Sequence, residues 1–256
     1  MTKPNKTKLI KFEDIDNKII NIQDNIRELE SFLKKNKIKE KDARIIGVKR
    51  FNYDILGPYF MLNKLLWRLS YKNLISEDPN YIHKRLGVDT TKNTNPPGEL
   101  TSQIDLFLKN NLVNSWYFQI EILFFNILLG LDKLPSKKPK FWELKKILLD
   151  ETDLEDYSKN FDTISHIRNS SHNGYLHKKD DFEYIIKKTK TKFIFKEGKP
   201  VKFFTDELIE LIEENIMIIN QILRSEIIIK EKKIMHDLFS EQAPNYTNSD
   251  YGIFTK

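Results

Sequence analysis

The chain has 256 residues, with 43 Lys and Arg against 37 Asp and Glu and a net charge of +6, enough for one large domain or two small ones with a real core. Hydrophobic residues make up 39% and charged residues 31%, with only 8 Gly and 9 Pro, which excludes a collagen-like or disordered chain and favours helices. The absence of cysteine excludes disulfides, thiolate nucleophiles and zinc knuckles, and fits reducing, cytoplasmic surroundings.

The excess of basic charge fits either a lysine-inflated soluble protein or weak attraction to a polyanion such as RNA. The N-terminal stretch MTKPNKTKLIKFEDIDNKII lacks an uninterrupted apolar core and a small-residue cleavage site, so no signal peptide is expected. The longest apolar run, WYFQIEILFFNILLGL, falls short of the roughly 20 residues of a membrane span and carries Glu121.

In chain order, Ile15, Ile19, Ile22, Ile26, Leu29 and Leu33 recur at three- and four-residue steps, which predicts a long amphipathic helix over 12–35. The helical theme continues past Ile45 and is interrupted at Gly57-Pro58, where Pro58 is expected to open a new helix. The polar stretch SEDPNYIHKRLGVDTTKNTNPPGELTS reads as a long surface loop and a candidate linker. Residues 1–100 are thus read as a helical region packed on a bundle of residues 101–239, with 240–256 a loose tail.

From Trp116 to Leu131 the chain is apolar on nearly every side, which predicts a central helix surrounded by others. Glu121, within it, needs a basic or hydrogen-bonding partner to be buried. After a loop and a short helix, 151–172 is again helical, with the stripe Leu154, Tyr157, Phe161, Ile164 and then Arg168. His172 falls one turn later on the same face, and Asn173-Gly174 supplies a left-handed exit. The alternation of Lys190, Lys192 and Lys196 against Thr191, Phe193 and Phe195 predicts a β-hairpin at about 182–204 with a lysine-rich face. Thr205 is expected to cap a last long helix with the stripe Leu208, Leu211, Ile212, Asn215, Ile216, Ile219, Ile222 and Leu223.

The segment ISHIRNSSHNGYLH holds three of the five histidines. An arginine one turn from a histidine suits chemistry on a phosphodiester. A guanidinium bonds phosphate oxygens in pairs and keeps its charge, while an imidazole titrates near neutrality and moves protons. Without metal, His172 would take the ribose 2′-hydroxyl proton or protonate the leaving oxygen, and Arg168 would steady the developing charge. Asn169 and Ser170 would orient phosphate or imidazole. Two other readings stay open: an internal Arg168–Glu121 ion pair with His172 favouring the helix C-terminus, and metal binding by His166, His172 and His177, of which the first two lie on different sides of a helix and the third falls past the turn. No Gly-rich phosphate loop, nucleophile elbow or HExxH is present.

The run Arg168, Asn169, Ser170, Ser171, His172, Asn173 and Gly174, followed by a hairpin and a last helix, resembles the Arg-Asn…His signature of the HEPN (higher eukaryotes and prokaryotes nucleotide-binding) superfamily over residues 102–230. The resemblance implies a mainly α, HEPN-like helical bundle with a small β-hairpin before the last long helix. It further implies an RNA-cutting or RNA-binding protein, often dimeric, toxin-like or antiviral, acting without metal or other cofactor. Arg168, Asn169 and His172 would be catalytic, with Glu121, Ser170 and Asn173 in support. Better-studied ribonuclease members place more residues between Arg and His than the three here, although this interval is still one helical turn. RNA, a second copy and an inhibitory antitoxin or regulatory subunit are the expected partners. The alternative is a non-catalytic module that contacts nucleic acid or a partner protein through Lys188, Lys190 and Lys192.

Overall fold

The computed structural model describes residues 12–68 and 96–235. Within them the protein is mainly helical with one small sheet. Helix α1 spans Phe12–Lys35, and all six residues of its expected stripe are buried, none more than 5% exposed. Asp42 accepts the backbone N–H of Arg44 and so starts α2, Ala43–Arg50.

A new α-helix opens at Gly57-Pro58 as expected, but with no gap before it. A π-helical turn, Phe51–Leu56, carries α2 directly into α3, Gly57–Arg68. Gly57 donates to the Asn52 carbonyl five residues back, and this wider turn absorbs the proline, which has no N–H to place. The surface loop read over 76–102 lies mainly outside the described residues, but its last part, from Pro96, belongs to a helix. The tail at 240–256 lies wholly outside them.

Helix α4, Pro96–Gly130, is the longest among the described residues. Its inner side, from Leu108 through Trp116, Ile120, Phe124 and Ile127, is buried. It is not enclosed on all sides as its composition suggests. Phe107, Phe118 and Leu129 are 63%, 60% and 44% exposed, because the helices packed on it, α2, α5 (Phe141–Glu151) and α6 (Ser158–His172), leave one flank open. Composition reports hydrophobicity around the helix and not which faces find neighbours.

Helix α6 starts at Ser158, later than the stripe from Leu154 suggested. Thr152 ends α5 by bonding the Leu148 carbonyl, Asp153 adopts a left-handed φ of 54°, and Glu155–Tyr157 forms a 3-10 turn. The buried side of α6 is Asn160, Phe161, Thr163, Ile164, Ile167 and Ser170. The inward line therefore passes through Ile167 and Ser170, leaving Arg168 half-buried on the flank.

Strands β1, Phe182–Ile185, and β2, Lys192–Phe195, pair antiparallel with Phe182 opposite Phe195 and Tyr184 opposite Phe193 on the covered side. The outer face holds Glu183, Ile185, Lys192 and Ile194, so it is mixed and not lysine-rich. Helix α7, Thr205–Arg224, buries the whole of its expected stripe. Its cap differs from expectation. Glu207 accepts the Phe204 N–H at 2.7 Å, whereas the Thr205 hydroxyl donates to Asp105 of α4 at 2.9 Å. A short helix α8, Glu226–Lys230, follows.

Residues of α1, α2, α4, α6, α7 and the hairpin belong to one hydrophobic core. The chain closes on itself through Asp42 and Arg44. Their fully buried ion pair, at 2.7 Å, also engages the Ile228 carbonyl and the Ile234 N–H. Gly130 permits this closure, since a Cβ there would meet the Ile234 side chain at 2.9 Å.

Candidate functional site

The last two turns of α6 carry Arg168, Asn169, Ser171 and His172 on their outer and flanking sides. A helix end holds such a cluster firmly only if its final carbonyls are satisfied. Here Asn173 Nδ2 donates to the Asn169 carbonyl at 2.9 Å, and the backbone N–H groups of Asn173 and Tyr175 both reach the Ser170 carbonyl. Gly174 takes the expected left-handed conformation with φ of 65°, and Tyr175 follows with φ of 66°. A tyrosine tolerates that backbone only when its surroundings hold it. They do: its hydroxyl accepts from Asn110 of α4 and its carbonyl accepts the Val201 N–H at 2.8 Å.

Arg168 lies with its guanidinium over the Tyr117 ring, 5.2 Å from the centroid, and donates to Asn169 Oδ1 at 3.2 Å. Asn110, Tyr117 and Glu121 follow one another at seven- and four-residue steps along the half-buried flank of α4. That flank runs beside the last turns of α6, from Tyr175 at one end to Arg168 at the other. No hydrogen bond or ion pair within 4.0 Å joins Arg168 to Glu121 among the described residues. Burial raises the Glu121 carboxyl above its ordinary range, and the charge of Arg168 offsets this only in part. The internal ion pair weighed from sequence is thus a looser electrostatic pairing.

His172 is exposed at the helix end, one turn beyond Arg168. Arg168, Asn169 and Asn173 are brought together, and His172 stands on their solvent side. Ser170 is not with them. It is 2% exposed, and its hydroxyl has no partner among the described residues. Of the hairpin lysines, Lys188 pairs with Glu213 at 2.9 Å and Lys192 with Glu183 at 2.8 Å, while Lys190 sits in the turn with φ of 63°. Ion pairing lowers the field that the first two present to a polyanion.

Sequence reasoning missed Tyr117, Asn110 and Tyr175. Only the Tyr117-to-Glu121 spacing hinted at a shared face, and nothing in the sequence indicated which helix it would meet. It also missed the role of the other two histidines. His166 stacks on Phe182 at 4.3 Å between centroids and lies 5.0 Å from His177, with Phe195 closing the group. His177 is 2% exposed and its Nε2 lies 2.9 Å from the Asp180 carbonyl. Both rings pin the hairpin to α6. Among the described residues no three His, Asp or Glu side chains gather as metal ligands, which removes the grouping of His166, His172 and His177.

No family model, curated protein or solved structure matches this chain.

A second polar group crosses the core. Trp116 Nε1 donates to Asn215 at 3.0 Å, Asn215 to Asn160, and Asn160 to Glu214 at 2.8 Å, with the Tyr184 hydroxyl also donating to Glu214. It links α4, α6, α7 and β1 through buried donors and acceptors that are matched to each other.

Proposed function

We propose that the chain is a HEPN-like, metal-independent endoribonuclease whose chemistry resides at the end of α6. The observation that carries this reading is the pairing of a half-buried, always-charged Arg168, seated on Tyr117, with an exposed imidazole one turn away at His172. The arginine is positioned by the fold, and the histidine has solvent access for proton transfer. In the reaction, the 2′-oxygen attacks phosphorus and the bond to the 5′-oxygen breaks, leaving a 2′,3′-cyclic phosphate and a 5′-hydroxyl. His172 takes the 2′-hydroxyl proton or protonates the leaving 5′-oxygen, and water exchanges the other proton. Arg168 bonds the phosphate oxygens, and Asn169 and Asn173 hold the last turn in place. Glu121, raised by burial, tunes the field around the guanidinium and does not quench it.

The protein acts in the cytoplasm as a toxin-like or antiviral effector, as a homodimer around this face, and under the control of an inhibitory partner. Cleavage of total RNA in excess EDTA, beside Arg168→Ala and His172→Ala, tests the reading. Loss of about 100-fold or more in each variant is expected for removal of a general acid–base group or a charge-stabilising donor. Unchanged cutting by His172→Ala in folded protein would sink it.

The second reading, a non-catalytic module for a partner protein, is favoured by one observation. Phe118 and Leu129 on α4 and Trp142 on α5 are 60%, 44% and 56% exposed, and exposed large apolar side chains of this kind suit a protein interface.

A further inference from the structure

Between the hairpin turn and α7 lies a cavity of about 110 Å³ whose lining includes Tyr157, Ile186, Lys187, Glu214, Met217 and Ile218. Liquid water occupies roughly 30 Å³ per molecule, so the space suits about four waters or a short hydrocarbon chain. Its inner wall is apolar, with Ile186 and Ile218 each 1% exposed.

Glu214 stands against that wall and is only 8% exposed. One oxygen accepts from Asn160 Nδ2 at 2.8 Å and from the Tyr184 hydroxyl. The other, Oε1, receives just the Lys187 backbone N–H at 3.4 Å. All three donors are neutral, and among the described residues no cationic side chain forms an ion pair with this carboxylate. Its neighbours differ: Lys18 answers Glu210, and Lys188 answers Glu213 at 2.9 Å. Lys187 also lines the cavity, yet it holds its ammonium over the Tyr157 ring, 4.7 Å from the centroid. A carboxylate buried with neutral donors alone is costly, and Glu214 lines a cavity whose inner wall is apolar.

The geometry points to a binding site for a small amphipathic organic cation, a protonated primary amine with a short alkyl body. The ammonium bonds Glu214 Oε1, and the alkyl chain lies on Ile186, Met217 and Ile218. The Tyr157 ring, which holds the Lys187 ammonium at 4.7 Å from its centroid, also lines the cavity. The site sits at the N-terminal end of α6, opposite Arg168 and His172, and does not depend on the ribonuclease reading.

The test titrates n-butylammonium chloride into the full chain at constant ionic strength, with n-butanol and sodium butyrate as neutral and anionic counterparts of the same shape. Methyl spectra of Ile186, Met217 and Ile218 report occupancy. Saturable shifts of these methyls are expected with the amine, about tenfold or more tighter than with butanol, as for a charge-assisted hydrogen bond. Butyrate should give none. Glu214→Gln keeps an oxygen for Tyr184 and Asn160 and should weaken the amine about tenfold. If that variant fails to fold, Met217→Trp, at a position 43% exposed, fills the cavity with the carboxylate in place and should abolish the shifts. Equal affinity for butanol and the amine, amine binding that survives either variant, or no saturable shift overturns the proposal.

Discussion

Replacing Asp42 with alanine removes the group that ties α2 to the last described segment. Asp42 and Arg44 are 3% and 0% exposed. The aspartate accepts four N–H groups: the Arg44 backbone at 3.0 Å, Arg44 Nε at 2.8 Å, Arg44 Nη2 at 2.7 Å and the Ile234 backbone at 3.0 Å. Without it, a guanidinium stays in the core with the Ile228 carbonyl as its remaining partner. Breaking a buried pair from one side costs about 3–5 kcal/mol, and losing an N-cap about 1 kcal/mol. The two overlap at the same atoms, so the expected loss is about 4 kcal/mol. With a urea slope near the upper end of about 1–3 kcal/mol/M, the unfolding midpoint falls by roughly 1.3 M. Tryptophan fluorescence follows the transition, because Trp116 is 0% exposed and packs on Phe51. The double variant Asp42→Leu with Arg44→Met removes both charges and should regain most of the loss, since apolar replacements of buried pairs are often neutral. A single variant within about 1 kcal/mol of the parent, or a double variant no better than the single, refutes the reasoning.

Arg168→Ala should cost about 1–2 kcal/mol, as for a cation resting on a half-buried ring, so a loss of RNA cleavage in that variant is separable from unfolding by the same urea titration. Stability should also depend on pH through His166. Burial, followed by the charges of His177 and Lys179, lowers its pKa to about 4 in the folded state, below its unfolded value near 6.5. The unfolded chain therefore binds the proton more tightly. The histidine's contribution is intact above about pH 6.5 and is lost as pH falls toward 4, by on the order of 1–2 kcal/mol after allowing for partial exposure. His166→Phe, which keeps the stack on Phe182, should flatten that slope; an unchanged slope would point to other groups. Gly174→Ala places a Cβ in a left-handed conformation with no atom within 4 Å, so the expected loss is the backbone penalty alone, about 1–2 kcal/mol. A larger loss in thermal unfolding would mean that the turn carries tertiary contacts as well. On the hairpin, Lys190→Glu should weaken RNA retention more than Lys192→Glu, because Lys192 already pairs with Glu183 at 2.8 Å; equal effects in a salt-series filter assay would contradict this.

The sequence by itself determined the elements whose signal is periodic. The stripes of α1 and α7 put isoleucine and leucine on one face at helical spacing, and a helix with one apolar face has a single economical way to pack, so every named position is buried. Gly174 was legible for a similarly local reason, because few residues other than glycine accept its backbone. The hairpin's strands followed from alternation, but its lysine face did not. Whether Lys188 and Lys192 are free depends on Glu213 of α7 and Glu183 of β1 coming within reach of them.

What only the tertiary structure decided concerns neighbours distant in the chain. Burial of α4 depends on how many helices reach it, so its composition overstated enclosure and left Phe118 exposed. The π turn at Phe51–Leu56 let Pro58 pass where local rules predicted a break. Around the candidate site, spacing placed Arg168 and His172 one turn apart. Only tertiary packing turned Ser170 inward, seated Arg168 on Tyr117 of α4 and kept Glu121 out of direct contact. The Glu214 network depends on side chains from four elements meeting in the core. Local conformation follows from neighbours along the chain, but polar complementarity in a core follows from which surfaces finally meet.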